Sequence, residues 1–294
     1  MSEIVEKVKI KTFKDYEGYK KPFWCPGCGD FSILSSLKKV SADLGIEPSK
    51  TVLVSGIGCS GKSYSFFYAN GVHTLHGRVL PVATGIKLAN PELLVIGLSG
   101  DGDSLAIGGN HFLHTARRNV GIKLIIMNNQ IYGLTKGQFS PTSNHGFVTV
   151  SSPYGSVEFP IDPVLISLSA GASFVARGFS GEPNSLMEIL KAAINHKGFA
   201  VVDVLSPCVT YNKINTYEWY RENIKFIPDN HDTSDLKSAI LLAISGDGKI
   251  PIGIFYRKER RTYEELILDS NNPCKVDLYC GRDRVIELIE ELSK

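Results

Sequence analysis

Residues 93–132 read LLVIGLSGDGDSLAIGGNHFLHTARRNVGIKLIIMNNQIY, and this stretch decides the fold. Leu93 to Leu98 is an unbroken apolar run, the pattern of a strand buried on both faces. It stops at Ser99-Gly100-Asp101-Gly102, and Ser104 to Arg118 follows with helical character. A second apolar run, Ile122 to Met127, stops at Asn128-Asn129. The segment is a β-α-β unit with polar residues at the carboxyl ends of both strands. In open α/β sheets that edge binds ligands.

The pattern extends in both directions. Upstream, Asp30 caps a helix running to about Leu44, with Phe31, Leu34, Leu37 and Val40 at helical spacing. Thr51 to Val54 reads as a strand ending in a glycine-rich loop, and Val79 to Ala89 as a helix. Downstream, residues 133–160 are rich in Gly, Ser and Pro and read as a long functional loop, of which 137–160 is expected to shape the substrate pocket. Pro163 to Ala170 (helix), Phe174 to Ala176 (strand), Asn184 to His196 (helix) and Ala200 to Leu205 (strand) come next. Residues 211–232 look irregular. The rest holds a helix (Asp235 to Ile244), a strand (Ile252 to Tyr256) and a charged helix (Asp283 to Ser293). The alternation predicts an α/β fold: a mainly parallel sheet with helices on both faces and a small C-terminal extension. The boundaries are a charged arm at 1–21, on the surface or on a partner, an α/β domain at 22–210 and an extension at 211–294.

With 32 basic and 30 acidic residues, the charge balance argues for neither nucleic acid nor membrane as partner. The start, MSEIVEKVKI, has no signal-peptide apolar region, and no apolar run is long enough to span a bilayer. Six cysteines, two of them in Cys25-Pro-Gly-Cys28, favour metal or redox use in a reducing, cytoplasmic compartment over a disulfide scaffold.

The strand ends carry the chemistry. Gly100 and Gly102 let the backbone approach a bulky anion. The helix that follows offers free N–H groups and a positive dipole end to phosphate. Asp101 and Asn129 are hard oxygen ligands, suited to Mg²⁺ holding a diphosphate. Gly-Asp-Gly alone is a common strand-end turn. Followed by 25 residues and then Asn-Asn, it resembles the signature of thiamine diphosphate (TPP) enzymes. That resemblance implies that Asp101, Asn129 and the Ile131 carbonyl hold the metal.

Residues 56–63, Gly-Ile-Gly-Cys-Ser-Gly-Lys-Ser, satisfy both the dinucleotide and the P-loop patterns. The dinucleotide reading needs an acid about 20 residues later to hold the ribose. No Asp or Glu lies between Glu47 and Glu92. The P-loop reading needs a long helix, and Asn70-Gly71 interrupts the chain within two turns. A P-loop NTPase stands as an alternative, with Asp101 as its Walker B acid, but it gives Cys59 no role beside Cys25 and Cys28. The acid-free stretch carries Lys50, Lys62, His73, His76, Arg78 and Lys87, a local positive field suited to a diphosphate.

Cys59 follows the first strand and Cys208 follows a late one, so both belong to the ligand-binding edge. Together with Cys25 and Cys28 they make a four-thiolate set suited to zinc or an iron–sulfur cluster. The opposing reading is one incidental C-x-x-C plus buried, inert thiols.

The two signals together resemble the β subunit of the 2-oxoacid:ferredoxin oxidoreductases. The resemblance covers roughly residues 20–215. It rests on Trp24-Cys25-Pro26-Gly27-Cys28-Gly29, Gly56-Ile57-Gly58-Cys59-Ser60, Leu75-His76-Gly77-Arg78, Gly100-Asp101-Gly102-Asp103, Asn128-Asn129-Gln130-Ile131-Tyr132-Gly133-Leu134-Thr135 and Pro207-Cys208. It implies the TPP-binding fold, in its diphosphate-binding half. Cys25, Cys28, Cys59 and Cys208 then hold one 4Fe–4S cluster, and Cys274 and Cys280 have no ligand role. By the same resemblance Ile57, Gly58, Cys59 and Ser60 lie along the cofactor, His76, Gly77 and Arg78 approach its diphosphate, and Gly133, Leu134 and Thr135 complete the cofactor site with Asp103. The implied reaction is CoA-dependent oxidative decarboxylation of a 2-oxoacid to acyl-CoA and CO₂, with electrons passed to ferredoxin. Lys136 is the candidate catalytic cation, holding the substrate carboxylate or a coenzyme A phosphate. The resemblance also implies a partner α subunit that supplies the glutamate activating the cofactor, with Phe66-Phe67-Tyr68 a candidate part of the contact. Two competing readings are a non-redox TPP-dependent decarboxylase or synthase and an iron–sulfur electron-transfer module without catalysis.

Overall fold

The structure, a computed structural model, describes residues 12–245, 247–269, 271–275 and 281–293. The strands are β1 (Thr51–Ser55), β2 (Asn70–His73), β3 (Leu94–Gly100), β4 (Ile122–Asn128), β5 (Ile131–Tyr132), β6 (Gln138–Phe139), β7 (Phe174–Phe179), β8 (Ala200–Leu205), β9 (Ile224–Phe226) and β10 (Ile250–Arg257). The helices are α1 (Asp30–Asp43), α2 (Val79–Ala89), α3 (Gly109–Arg118), α4 (Pro163–Ser169), α5 (Pro183–Asn195), α6 (Tyr217–Asn223), α7 (Leu236–Ala243), α8 (Tyr263–Leu268) and α9 (Arg282–Leu292).

Among the described residues, eight strands form one sheet in the order β2-β1-β3-β4-β8-β7-β10-β9. β2, β1, β3, β4, β8 and β7 are parallel, and β10 runs antiparallel to β7. Alternate strand residues feed two cores, as the period of two requires. On one face Leu53, Ile96, Ile125 and Val202 pack under α1 and α5, through Leu37 and Leu190. On the other, Val54, Val95, Leu124 and Val201 pack under α2, α3 and α4, through Leu80, Phe112 and Val164. β2 lies to one side of β1 and β3 to the other, so the chain changes direction across the sheet between β1 and β3. Ligands bind at such a switch point, beyond the carboxyl ends of the strands.

The structure departs from the expected elements at several points. The stretch expected to be a helix from Ser104 to Arg118 is broken: Gly102–Ile107 is a π-helical turn, and α3 begins only at Gly109. Gly108 marks the break, where a Cβ atom would stand 2.4 Å from the Asp103 carbonyl. π-turns concentrate at functional sites. Residues 211–232 are not irregular, because α6 and β9 lie there. Thr216 caps α6, and Tyr220 packs with Phe179, Leu205 and Ile252. β2, with its four residues mostly exposed at the sheet edge, has no apolar signature to reveal it. The described part of the N-terminal segment, residues 12–21, lies on the surface and is anchored through Tyr16. Tyr16 is fully buried, and its hydroxyl lies 2.8 and 2.6 Å from the Ser41 and Ile46 carbonyl oxygens. Residues 1–11 lie outside the described residues.

The sheet does not end at residue 210, since β10 pairs directly with β7. Glu264 of α8 accepts the Gly121 N–H just before β4, which ties the C-terminal region to the main domain. Phe66 and Phe67 are buried, which removes them from any contact between subunits, whereas Tyr68 is exposed. No helix among the described residues is long and apolar enough to cross a membrane.

Candidate active site

The loops after β1, β3 and β4 enclose a cavity of about 180 Å³ at the switch point. Ile57, Gly58, Cys59 and Ser60 come from the first loop and Gly100 to Asp103 from the second. Asn129, Ile131, Gly133, Leu134 and Thr135 come from the third, and His76 closes one side. Each glycine has its own reason. At Gly102 a Cβ would fall 2.2 Å from the Tyr132 ring, so the ring demands a glycine there. At Gly100 a Cβ would meet nothing nearer than Ser60 Oγ at 3.5 Å, and at Gly58 (φ +109°) nothing within 4 Å. The two latter backbones face open space, as a cradle for a ligand requires.

Asp101 and Asp103 are both buried but do different work. Asp103 is saturated by the protein. Its Oδ1 accepts the Gly77 N–H at 2.7 Å and meets His76 Nδ1 at 2.5 Å, and its Oδ2 accepts the Ser99 hydroxyl at 2.6 Å. It ties the loops after β1 and β2 to β3. On Asp101, Oδ2 accepts from Ser140 Oγ at 2.5 Å and Thr142 Oγ1 at 2.6 Å. Burial pushes its carboxyl above the ordinary range, while those hydroxyls and nearby backbone N–H groups pull it down. Among the described residues no other side chain bonds Oδ1.

The two asparagines also divide. Asn128 is structural, donating to Asp203 Oδ1 at 2.9 Å, and Asp203 in turn accepts from Arg177 Nε at 2.7 Å. Asn129 lines the cavity, where its Oδ1 accepts the Ile131 N–H at 3.1 Å. The Ile131 carbonyl accepts the Gly133 N–H at 3.0 Å and keeps a second lone pair. Ser60 Oγ is buried with no hydrogen-bond partner, an unspent polar group in the cavity wall.

Cys59 lines this cavity, and backbone bonds link the segments that carry Cys25, Cys28 and Cys208 to it. The Cys28 N–H donates to the Cys25 carbonyl and closes the Pro-Gly turn. Gly29 donates to the Pro207 carbonyl, next to Cys208, and Trp24 Nε1 donates to the Cys59 carbonyl at 2.8 Å. A Cβ on Gly133 would stand 3.5 Å from Cys208 Sγ and 3.9 Å from Cys59 Sγ. Burial pushes the Cys59 thiol up to about 11, and Asp30, Cys208 and Cys25 add to the shift against the pull of Lys62. Burial, then Asp30, raises Cys28 further. Among the described residues, no three His, Cys, Asp or Glu side chains close into a ready-made metal-holding group. Cys274 is exposed, and Cys280 lies outside the described residues.

Several expected residues stand away from the cavity wall. Gly77 serves Asp103 through its N–H, and Arg78 is exposed. Lys136 is exposed just past the rim, in a left-handed backbone conformation (φ +77°). Lys62 lies over the Phe23 ring at 4.7 Å, and a short 3-10 turn stands where a P-loop helix would open, which removes the NTPase alternative.

Other residues escaped sequence reasoning. Asp30 and Met127 line the cavity, as does Tyr132, whose phenol burial pushes up to about 12. Asp30, expected only as a helix cap, is buried with its carboxyl raised to about 6 by burial against the Ser206 hydroxyl. Asn212 steadies the Asn129 carbonyl at 3.1 Å.

Residues 56–204 match the family described as "Thiamine pyrophosphate enzyme, C-terminal TPP binding domain". Residues 208–271 match the family for the C-terminal part of the pyruvate ferredoxin oxidoreductase β subunit. The chain is 46% identical to 2-oxoacid:ferredoxin oxidoreductase 1, subunit beta, of Aeropyrum pernix, over 86% of this chain and 84% of that one. It is 48% identical to the corresponding subunit beta of Saccharolobus solfataricus, over 84% and 86%. It also superposes with a TM-score of 0.90 and 41% identity on a 2-oxoglutarate:ferredoxin oxidoreductase from Magnetococcus marinus, solved with 2-oxoglutarate, coenzyme A and succinyl-CoA bound, covering 98% of this chain and 99% of that one. A glycine-lined cavity at the switch point, with Asp101 and Asn129 in its wall, and these relatives agree: the chain belongs to the β subunits of the 2-oxoacid:ferredoxin oxidoreductases.

Proposed function

We propose that this subunit binds TPP through Mg²⁺ in the cavity between β1, β3 and β4, and holds one 4Fe–4S cluster on Cys25, Cys28, Cys59 and Cys208. The reaction is 2-oxoacid plus coenzyme A to acyl-CoA and CO₂, with two electrons passed to two ferredoxins. One observation carries the cofactor reading: Asp101 and Asn129 face the same cavity in which Gly58 and Gly100 turn bare backbone and Ser60 Oγ lacks a partner.

The residues fit the groups they would hold. Asp101 Oδ1, the Asn129 side chain and the Ile131 carbonyl form a hard-oxygen set suited to Mg²⁺. Ser60 Oγ offers a hydroxyl to a phosphate oxygen, and the open faces of Gly58 and Gly100 leave room for the diphosphate. Met127 and Ile131, both buried, give the cavity an apolar floor that excludes water. Four thiols on segments linked to the same cavity suit an iron–sulfur cluster. When bound, TPP supplies the electron sink for decarboxylation, and the cluster accepts electrons one at a time.

The activating glutamate comes from a partner α subunit, and ferredoxin docks from outside. A reducing cytoplasm suits both the thiols and the electron carrier. Lys136, exposed at the rim, holds the 2-oxoacid carboxylate or a coenzyme A phosphate.

Acyl-CoA formation from a panel of 2-oxoacids, by this subunit purified together with its partner, tests this reading. At least one member is turned over in a CoA-dependent way, and Lys136→Ala raises KM for the 2-oxoacid or CoA with kcat nearly unchanged. Absence of acyl-CoA from every substrate overturns the reaction. Unchanged kinetics for both substrates overturns the role of Lys136.

A further inference from the structure

The long loop after β6 opens with Ser140-Pro141-Thr142-Ser143, and two hydroxyls of this turn meet on one carboxylate oxygen of Asp101. We propose that the turn is a positioning device: Ser140 and Thr142 fix the Asp101 carboxylate so that Oδ1, which no side chain among the described residues bonds, meets the divalent cation in one orientation. This rests on the cation reading given above.

The turn is rigid. The Ser143 N–H donates to the Ser140 carbonyl at 3.0 Å, with Pro141 at the second position, where its fixed φ suits a β-turn. Ser143 Oγ accepts the Ser140 N–H at 2.8 Å and donates to the Gln130 carbonyl at 2.6 Å, which pins the turn to the Asn-Asn loop. On its other side the Ile161 N–H donates to the Pro141 carbonyl at 2.8 Å. Ser140, Thr142 and Ser143 are all buried.

Proton counting assigns the bonds. Each hydroxyl has a single proton to give. Ser140 lies 2.5 Å from Asp101 Oδ2. Thr142 has three acceptors in reach, Asp101 Oδ2 at 2.6 Å, Asn128 Oδ1 at 3.0 Å and Ser140 Oγ at 3.2 Å. The carboxylate is the closest and strongest acceptor, and Asn128 Oδ1 already takes the Gln130 N–H at 3.3 Å. The Asn128 amide cannot flip to change this, because its nitrogen must face Asp203. Both protons therefore go to Oδ2. Two donors on one oxygen fix the carboxylate plane and favour its ionised form, and so set the direction in which Oδ1 points. Mg²⁺ requires near-ideal octahedral geometry, so the direction of that oxygen matters as much as its charge. Partners of metal ligands typically contribute about 10–100-fold in metal affinity.

The test uses the full complex with its partner subunit, stripped of Mg²⁺ and TPP. Mg²⁺ is titrated at fixed TPP and retained TPP is measured, with Mn²⁺ binding followed in parallel by electron paramagnetic resonance. Ser140→Ala/Thr142→Val raises the Mg²⁺ midpoint roughly 10–100-fold, and saturating Mg²⁺ restores kcat. Thr142→Ser, which returns the hydroxyl, keeps the parental midpoint. Asp101→Asn shows no Mg²⁺-dependent TPP retention at all. A parental midpoint in the double variant, with Asp101→Asn defective, refutes the positioning role. A parental midpoint in Asp101→Asn refutes the cation assignment itself. If the double variant does not fold, the single changes Ser140→Ala and Thr142→Val are titrated in its place, and unchanged midpoints in both refute the proposal.

Discussion

Asp101→Ala is expected to abolish Mg²⁺-dependent TPP binding and 2-oxoacid turnover in the assembled enzyme, with the visible spectrum of the cluster unchanged. Asp101 is buried, and among the described residues its side-chain partners, Ser140 and Thr142, both bond Oδ2. The alanine removes the cation ligand, and the loss should exceed the roughly 10–100-fold seen for mere partners of ligands. It also strands the Ser140 and Thr142 hydroxyls in a buried site, at about 1–3 kcal/mol of stability. Asp101→Asn separates the two effects, since it keeps an acceptor for the hydroxyls and removes only the charge. It should therefore melt near the parent and still fail to hold TPP. By contrast, Asp103→Asn should loosen the loops at 56–57 and 76–77, because Asp103 spends its oxygens on Gly77, His76 and Ser99. Calorimetric titration with TPP and Mg²⁺ reads the binding. Parental affinity in Asp101→Ala contradicts the metal assignment.

Replacing Cys25, Cys28, Cys59 or Cys208 singly by Ser is expected to lower iron content and cut ferredoxin-linked turnover roughly tenfold or more. Cys274→Ser, at an exposed position whose Sγ lies 3.2 Å from the Ala89 carbonyl oxygen, leaves both at parental values. The four positions are drawn together by the backbone: the Cys25–Cys28 turn, the bond from Gly29 to Pro207 and the Trp24 indole on the Cys59 carbonyl. Thiols must lose their protons to ligate a metal, so binding releases protons. Iron and acid-labile sulfide analysis of anaerobically prepared protein is the measurement. Stoichiometric zinc without iron contradicts the cluster.

The parts legible in sequence were those with a period or a rigid spacing. The runs Leu93 to Leu98 and Ile122 to Met127 gave β3 and β4 because both faces of a central parallel strand are apolar. Their polar stops gave Asp101 and Asn129, since a strand end fixes where the next side chains emerge. The π-turn at Gly102–Ile107 stayed hidden because the apolar pattern does not distinguish it from an α-helix. β2 stayed hidden because it is an edge strand with exposed side chains, and α6 because its seven residues are too few for a clear period. Ser140 and Thr142 lie in a loop with no periodicity at all. Only the fold, by passing that loop over β3, shows which carboxylate they meet. Lys136, next in sequence to the cavity residues 133–135, stands exposed past the rim, a placement that its spacing alone does not reveal.

The most direct measurement is ferredoxin reduction, driven by a 2-oxoacid and coenzyme A, by this subunit purified anaerobically with and without its co-expressed partner. The expected result is a brown complex that reduces ferredoxin only when 2-oxoacid, coenzyme A, TPP and Mg²⁺ are all present, and an isolated subunit that holds the cluster but does not turn over. Full turnover by the isolated chain contradicts the split site, and a colourless complex that turns over without ferredoxin contradicts the redox reaction.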